Sequence, residues 1–169
     1  YLERNTFNAI QSIKYKIEKD SIKYPEYYLQ PFHGYDNGNL EWKAAIEGEA
    51  ATYSISANYW KNISYYDAER WVRYNMTKSI NSYLTQQRLH HISLKRILDI
   101  GCSIGVSSEF IRKKFKKATV YGLDLSPYFL AVASYRKQQQ KNGIYYIHAN
   151  TESIPMVDDS MDMVTVNFV

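Results

Sequence analysis

The chain has 169 residues, enough for one domain with a substantial core, and apolar and charged residues make up 45% and 22% of it, as in ordinary globular proteins. No apolar run reaches the roughly 18 residues that a bilayer-crossing helix needs, which argues against a membrane-spanning protein. The single cysteine, Cys102, excludes an internal disulfide and fits a reducing compartment.

The net charge of +4 and the pI of about 9.0 raise the question of an anionic partner. The densest basic run is 111–117 (IRKKFKK), in which apolar residues lie one helical turn apart. We interpret it as the last turns of an amphipathic helix, where cations complement the dipole. Nucleic acid is therefore not the expected partner. The histidines, cysteine and acids show no metal-ligand spacing, so no metal is expected.

The first 91 residues are polar and aromatic, and we expect them to form an N-terminal cap or lid region. From Asp67 to about His91 apolar residues recur at three- and four-residue spacing, which predicts a long amphipathic helix. Asp67 is its predicted N-cap, and His90 and His91 suit the dipole at its end. His33, in the run PFHGYD, is interpreted as a turn residue in preference to an acid–base catalyst.

From residue 92 onward, short apolar runs alternate with helical patterns. Helices are predicted at about 106–117 and from an N-cap at Ser126 to a stop at Asn142-Gly143. Four strands are predicted, at 96–100, 118–125, 144–149 and 161–169. This alternation is typical of an α/β fold with a parallel sheet covered on both faces. No helix follows the last strand to cover it, so we expect the sequence to be a fragment of a longer chain.

In such a sheet, ligands bind beyond the carboxyl ends of the strands. The run LDIGCSIG, 98–105, combines a strand end, two glycines that permit a tight turn, and a helix start whose amides suit an anionic group. Its spacing is not the dinucleotide pattern, and Asp99 would repel a pyrophosphate but would hold a positively charged amino group. Cys102 is interpreted as a small loop residue whose pKa the helix N-terminus lowers. A purely structural turn is the alternative for the whole run.

Polar residues also end the other predicted strands. Asp124 stands 23 residues after Gly101, close to the separation at which an acid accepts from ribose hydroxyls, although a turn residue would fit there too. Asn150 offers the donors and the acceptor that suit an adenine edge, and Asn167 lies at the functional end of the fourth strand. His148 is expected to be packed in the third strand and not to act in catalysis.

The runs ILDIGCSIG, GLDLSP, HANTESIP and MDMVTVNF resemble, in that order and spacing, the successive motifs of class I S-adenosylmethionine-dependent methyltransferases. The group they resemble most is the broad type 11 set, which contains the ubiquinone and menaquinone C-methyltransferases. The resemblance covers 96–169, and 24–50 looks more loosely like the leader of a methyltransferase-like family from photosynthetic lineages. Together these resemblances imply a cap or lid over 1–91, a Rossmann-like cofactor domain over 92–169, and a plastid or cytoplasmic location.

The resemblance also implies roles for individual residues. Asp124 would hold the ribose hydroxyls of S-adenosylmethionine, Leu125 would lie against the adenine, and Asn167 would lie near the transferable methyl group. Asn150 stands where the family commonly has an aspartate that reaches the adenine amino group. The full set of expected cofactor-binding residues is Asp99, Gly101, Cys102, Ser103, Gly105, Asp124, Leu125, Asn150, Thr151, Glu152 and Asn167. No catalytic residue is implied.

The expected function is methyl transfer to a small acceptor that is lipophilic or quinone-like. One alternative is an NAD(P)-dependent oxidoreductase of the same fold class, against which the missing G-x-G-x-x-G and Asp99 both count. Another is a non-catalytic module that binds RNA, which the positive charge would favour.

Overall fold

The computed structural model describes residues 3–60, 62–89, 93–140 and 143–167. The helices are α1 (Arg4–Ile17), α2 (Trp42–Ala57), α3 (Tyr65–Gln86), α4 (Val106–Lys114) and α5 (Pro127–Gln140). The strands are β1 (Arg96–Ile100), β2 (Thr119–Asp124), β3 (Ile144–His148) and β4 (Met163–Val166). Short 3-10 turns lie at Glu26–Leu29 and Thr151–Ser153.

The four strands form one parallel sheet in the order β3-β2-β1-β4, and α4 and α5 connect β1 to β2 and β2 to β3. On one face, Ile97, Val120 and Ile144 come from three adjacent strands and pack with Ile111 of α4 in a buried cluster. This architecture confirms the predicted α/β fold with a Rossmann-like parallel sheet. It also brings the carboxyl ends of all four strands to one edge.

The second face of the sheet is covered less completely. Leu98 and Leu123 are buried there, packed against Met156 and Met161 of the segment that joins β3 to β4. The outer strand β4 exposes valines on this face, Val164 at 53% and Val166 at 61%. The apolar pattern of the last strand therefore forms an exposed edge in the part of the chain that the structure describes.

Helices of the N-terminal region pack on the sheet domain. Helix α1 packs against α5, and α2 lies between α3 and α5. Ala44 and Ala45 of α2 are buried with Ile104 and Phe129, so small side chains let α2 approach the loop after β1 closely. The separation of the chain into a cap over 1–91 and a cofactor domain over 92–169 stays a prediction.

The structure corrects the start of the long helix. The Ser64 hydroxyl accepts a hydrogen bond from the Asp67 N–H at 3.1 Å, so Ser64 is the N-cap of α3 and the prediction of Asp67 was wrong. Ser64 takes this role because its backbone is extended while Tyr65 is already helical. Helix α4 ends at Lys114, before the predicted 117, because Phe115 leaves the helical region with φ −101° and ψ 71°. The predictions for His90, His91, Asn142 and Val169 fall outside the described residues.

Candidate functional site

The loop between β1 and α4 alternates left-handed backbone conformations. Gly101, Ser103 and Gly105 have φ of 65°, 49° and 85°. The loop is tied to the sheet by the Cys102 N–H, which donates to the Leu123 carbonyl at 3.1 Å. It is closed by the Gly105 N–H, which donates to the Cys102 carbonyl at 2.8 Å. Ser103 thus holds a conformation that favours glycine, although serine carries a Cβ.

Gly105 has a steric requirement as well. A Cβ at this position would meet the Tyr146 hydroxyl and would lie 2.8 Å from the Tyr146 Cζ. The Tyr146 ring therefore fills the space directly behind the loop. Its hydroxyl is buried and has no hydrogen-bond partner among the described residues. Burial raises the pKa of Tyr146, so this phenol stays protonated.

Asp99 lies beneath the loop and is fully buried. Its Oδ2 accepts hydrogen bonds from the hydroxyls of Ser107 at 2.6 Å and Ser108 at 2.7 Å, both in the first turn of α4. Its Oδ1 accepts from the Thr165 hydroxyl at 2.9 Å and from the Asn167 amide at 3.2 Å. The carboxylate thus ties β1 to α4 and to the end of β4. Its predicted contact with an amino group of a ligand would have to replace one of these four bonds.

Asp124 ends β2 beside the same loop and is 7% exposed. Its Oδ2 accepts from the Ser103 N–H at 2.7 Å, and its Oδ1 accepts from the Ser126 N–H at 2.8 Å. Burial raises the pKa of Asp124 to about 6, although these backbone donors act to lower it. The carboxylate is therefore mostly ionised at neutral pH and can accept hydrogen bonds from hydroxyl groups of a ligand.

The turn after β3 is built by Asn150. Its Oδ1 accepts from the Glu152 N–H at 3.0 Å and caps the 3-10 turn. Thr151 and Glu152 are exposed on that turn. Next to it, the backbone carbonyl of Leu125 lies 3.0 Å from His148 Nε2. The structure thus brings these residues to the same edge of the sheet as Asp124, and their contacts with a cofactor stay predictions.

Two interpretations of reactive side chains have clear outcomes. Cys102 is 2% exposed, and burial followed by the negative charges of Asp124 and Asp99 raises its pKa, so the expected lowering was wrong. The helix N-terminus does not offset the burial. His33, with φ 53°, and Gly34, with φ 80°, form the turn of a small hairpin, so His33 has the structural role that was expected.

Sequence reasoning missed the contribution of the N-terminal region to this edge. The Ser126 hydroxyl donates to the Asn39 carbonyl at 2.6 Å, and the Lys19 N–H donates to His148 Nδ1 at 3.0 Å. Tyr28 is near enough to Asp124 for the carboxylate charge to raise the Tyr28 pKa, after the larger effect of burial. The aromatic run at 24–28 was the available signal, but no spacing rule connects it with β2 or β3.

The groups around the loop indicate the charge of a suitable ligand. The partners of Asp99 and Asp124 are hydroxyls, an amide and backbone N–H groups, so no cation pairs with either side chain in these bonds. Two carboxylates disfavour a pyrophosphate and suit a ligand that carries a positive charge and ribose hydroxyls. This donor set fits S-adenosylmethionine, which has both.

The described residues contain neither a metal-binding cluster nor a helix that could span a membrane. Among them, no group of three or more histidines, cysteines and acids is arranged to hold a metal ion. No described helix combines the length and the apolar character required to cross a bilayer.

The strain at Ser103 gives a testable effect on stability. Ser103→Gly is expected to raise the free energy of unfolding by up to about 1 kcal/mol, since relief of about 1–2 kcal/mol of left-handed strain exceeds the ~0.5–1 kcal/mol entropic cost of glycine. Ser79→Gly, on the exposed face of α3, is the matched control and should lower it by about 0.5 kcal/mol. Urea unfolding of both variants measures the difference. A loss of stability in Ser103→Gly would show that the hydroxyl or the serine backbone is needed in the loop.

Comparison with known proteins finds a match for the sheet region. Residues 97–169 match the family model described as a methyltransferase domain. A phthiotriol/phenolphthiotriol dimycocerosates methyltransferase of Mycobacterium leprae is 28% identical over 85 residues, which are 50% of this chain and 31% of that protein. A demethylmenaquinone methyltransferase of Thermus thermophilus is 28% identical over 74 residues, covering 44% of this chain and 34% of that protein. The chain thus spans about a third of the length of these curated relatives.

A solved structure supports the fold independently. A candidate S-adenosyl-L-methionine-dependent methyltransferase from Methanococcus maripaludis superposes with a TM-score of 0.57 at 15% identity. The match covers 76% of this chain and 51% of that one, so it extends beyond the sheet into the N-terminal region. At this identity, the likeness shows the fold.

Proposed function

From the match of residues 97–169 to a methyltransferase domain, we propose that the protein is a class I S-adenosylmethionine-dependent methyltransferase, which transfers the methyl group of S-adenosylmethionine to a small acceptor. The observation that carries the proposal is the buried Asp124, held at the end of β2 with one oxygen on the Ser103 N–H. It stands at the edge of the sheet where ligands of this fold class bind.

The chemistry of the loop agrees with this cofactor. When bound, S-adenosylmethionine supplies a methyl group already activated by a positive sulfonium, and it carries no phosphate. Asp99 and Asp124 provide negative charge on either side of the loop, and the left-handed residues Gly101, Ser103 and Gly105 shape its backbone. Correct positioning alone lowers reaction barriers by as much as about 7–11 kcal/mol, so a dedicated catalytic residue is not obligatory for the methyl transfer itself.

We assign the roles along the edge as follows. Asp124 accepts hydrogen bonds from the ribose hydroxyls, and Leu125 contacts the adenine. Asn150 uses its Oδ1 to cap the following turn, which leaves its amide N–H₂ as the group to meet the adenine edge. Asn167 and Asp99, joined by a hydrogen bond, hold the end of β4 next to the loop.

The acceptor is proposed to be lipophilic. One relative acts, by its name, on dimycocerosates and another on demethylmenaquinone, both of which are apolar molecules. The relatives are about three times as long as the segment that matches them, so the acceptor and the activity of the whole protein are part of the proposal. A plastid or cytoplasmic location also stays a prediction.

Calorimetric titration with S-adenosylhomocysteine and, separately, NADH tests the cofactor. We expect one site for S-adenosylhomocysteine and no heat of binding with NADH. Transfer of the labelled methyl group of S-adenosylmethionine to demethylmenaquinone or to a long-chain fatty acid then tests the acceptor class. Binding of NADH in place of S-adenosylhomocysteine would overturn the assignment and favour an oxidoreductase.

A further inference from the structure

His148 is a buried polar side chain that the proposed reaction does not use. It is 1% exposed at the end of β3. Its Nδ1 accepts from the Lys19 N–H at 3.0 Å, so in the neutral ring the proton is on Nε2, which donates to the Leu125 carbonyl at 3.0 Å. Burial lowers the pKa of His148, which keeps the ring neutral near pH 7. Tyr24 contributes a third contact, with its hydroxyl 3.3 Å from Nε2.

A second attachment lies further along the N-terminal region. The Ser126 side chain is fully buried, caps α5 through the Phe129 N–H at 3.2 Å and donates to the Asn39 carbonyl at 2.6 Å. Residues 19–39 are therefore fastened at both ends, to β3 and to the loop after β2. We call this segment the strap. It crosses the carboxyl end of β2, where Asp124 lies.

Tyr28 is the strap residue placed over this end of the sheet. Its ring stacks on Tyr24 with centroids 6.2 Å apart, and Tyr24 in turn contacts the His148 ring. Burial, and after it the Asp124 charge, raise the pKa of the Tyr28 hydroxyl, whereas the Asn39 side chain acts to lower that pKa. By contrast, the neighbouring Tyr27 is 68% exposed.

We propose that the strap is a wall of the cofactor site, in which Tyr28 contacts the nucleoside and His148 is the positioning residue that holds Tyr28 there. The inference rests on the function proposed above. The phenol has one O–H donor beside the ribose-binding carboxylate, and a ribose or adenine acceptor is the group it would meet. The Asn39 carbonyl fixes the end of the strap through Ser126, and the His148 ring fixes its start through the Lys19 N–H.

A double-mutant cycle measured by calorimetry with S-adenosylhomocysteine tests this inference. Tyr28→Phe is expected to weaken binding about 3- to 10-fold, because it removes one hydrogen bond and leaves the ring. Tyr27→Phe, on the same turn, should leave the affinity unchanged. His148→Phe should weaken binding to a similar extent, and adding Tyr28→Phe to it should have no further effect, since the phenol is then no longer held in place. His148→Gln, which keeps a donor and an acceptor, should recover part of the loss.

The outcomes separate this inference from the proposed function. If wild-type protein does not bind S-adenosylhomocysteine, the proposed function fails and the inference fails with it. If wild type binds but Tyr28→Phe behaves as Tyr27→Phe does, only the inference is overturned. Independent, multiplying effects of His148→Phe and Tyr28→Phe would contradict the positioning role. The comparison of Tyr28→Phe with Tyr27→Phe decides whether Tyr28 contacts the nucleoside, even if His148→Phe does not fold.

Discussion

Asp124→Asn is expected to weaken S-adenosylhomocysteine binding about 100-fold, because asparagine keeps one neutral acceptor oxygen in place of two charged ones and a hydrogen bond to a charged group contributes about 1.5–3 kcal/mol. The variant also places an N–H₂ group where the carboxylate accepts from the Ser103 and Ser126 N–H groups. Asp158→Asn, in the exposed segment before β4, removes the same charge and should bind as wild type does. Calorimetry measures both, with circular dichroism to show that each variant is folded. Equal affinities in the two variants would remove Asp124 from the site.

The same carboxylate sets a pH dependence. Burial raises the pKa of Asp124 to about 6, and only its ionised form accepts from two hydroxyls. Affinity for S-adenosylhomocysteine should therefore be constant above pH 7 and fall as pH drops through 6, by about tenfold per pH unit, because a proton must leave before the ligand binds. In Asp124→Asn this dependence should be absent. A wild-type affinity that is flat from pH 7 to pH 5 would show that Asp124 does not bind the ligand in its ionised form.

Gly105→Ala is expected to lower the free energy of unfolding by about 3 kcal/mol, combining left-handed strain with overpacking against a fixed side chain. A Cβ at this position would meet the Tyr146 hydroxyl and lie 2.8 Å from Cζ. Gly34→Ala is a matched control, because Gly34 has φ 80° against 85° for Gly105 but has open space around it. It should cost only about 1 kcal/mol, from backbone strain alone.

Urea unfolding of the two alanine variants isolates the steric part of the effect. The difference of about 2 kcal/mol measures how tightly Tyr146 supports the loop from behind. If Gly105→Ala and Gly34→Ala lose the same stability, the Tyr146 ring yields readily and the loop is less rigid than its contacts indicate. The Gly105 variant should also lose affinity for S-adenosylhomocysteine, since the loop that carries Ser103 must shift.

The sheet and its edge could be predicted from sequence because their signals are local. The strand predicted at 118–125 is found at Thr119–Asp124, and the one at 144–149 is found at Ile144–His148. Short apolar runs separated by helix caps define such strands without knowledge of distant contacts. The cap at Ser126 was found for the same reason, since serine, proline and the helix follow one another in the chain.

The surroundings of the site could not be predicted, because they depend on long-range contacts. Lys19 and His148 are 129 residues apart in sequence, and Ser126 and Asn39 are 87 apart. Helix α2 packs through Ala44 and Ala45 and gives no strong apolar stripe to detect. The four donors to Asp99 come from α4 and from the end of β4, so the structure has a buried junction where the sequence suggested a group that holds the amino group of a ligand.

Ser103 shows how local and long-range effects combine. The resemblance to the methyltransferase motifs placed Ser103 among the expected cofactor-binding residues. The structure shows that the backbone there is left-handed, with φ 49°, and that the Ser103 N–H is held by Asp124 at 2.7 Å. The side chain costs strain, whereas the backbone makes the contact that connects the loop to β2. Ser103→Gly should therefore keep the hydrogen bond from the backbone N–H of residue 103 to Asp124, which holds the carboxylate proposed to bind the cofactor.

A crystal structure with S-adenosylhomocysteine tests the central claim most directly. We expect the Asp124 carboxylate to lie about 2.5–2.8 Å from the ribose hydroxyls, as in charge-assisted hydrogen bonds, with the nucleoside along the edge between Leu125 and Asn150. The Gly101–Gly105 loop should lie against the rest of the ligand. A nucleoside bound elsewhere, with Asp124 still bonded only to backbone N–H groups, would contradict the proposed site.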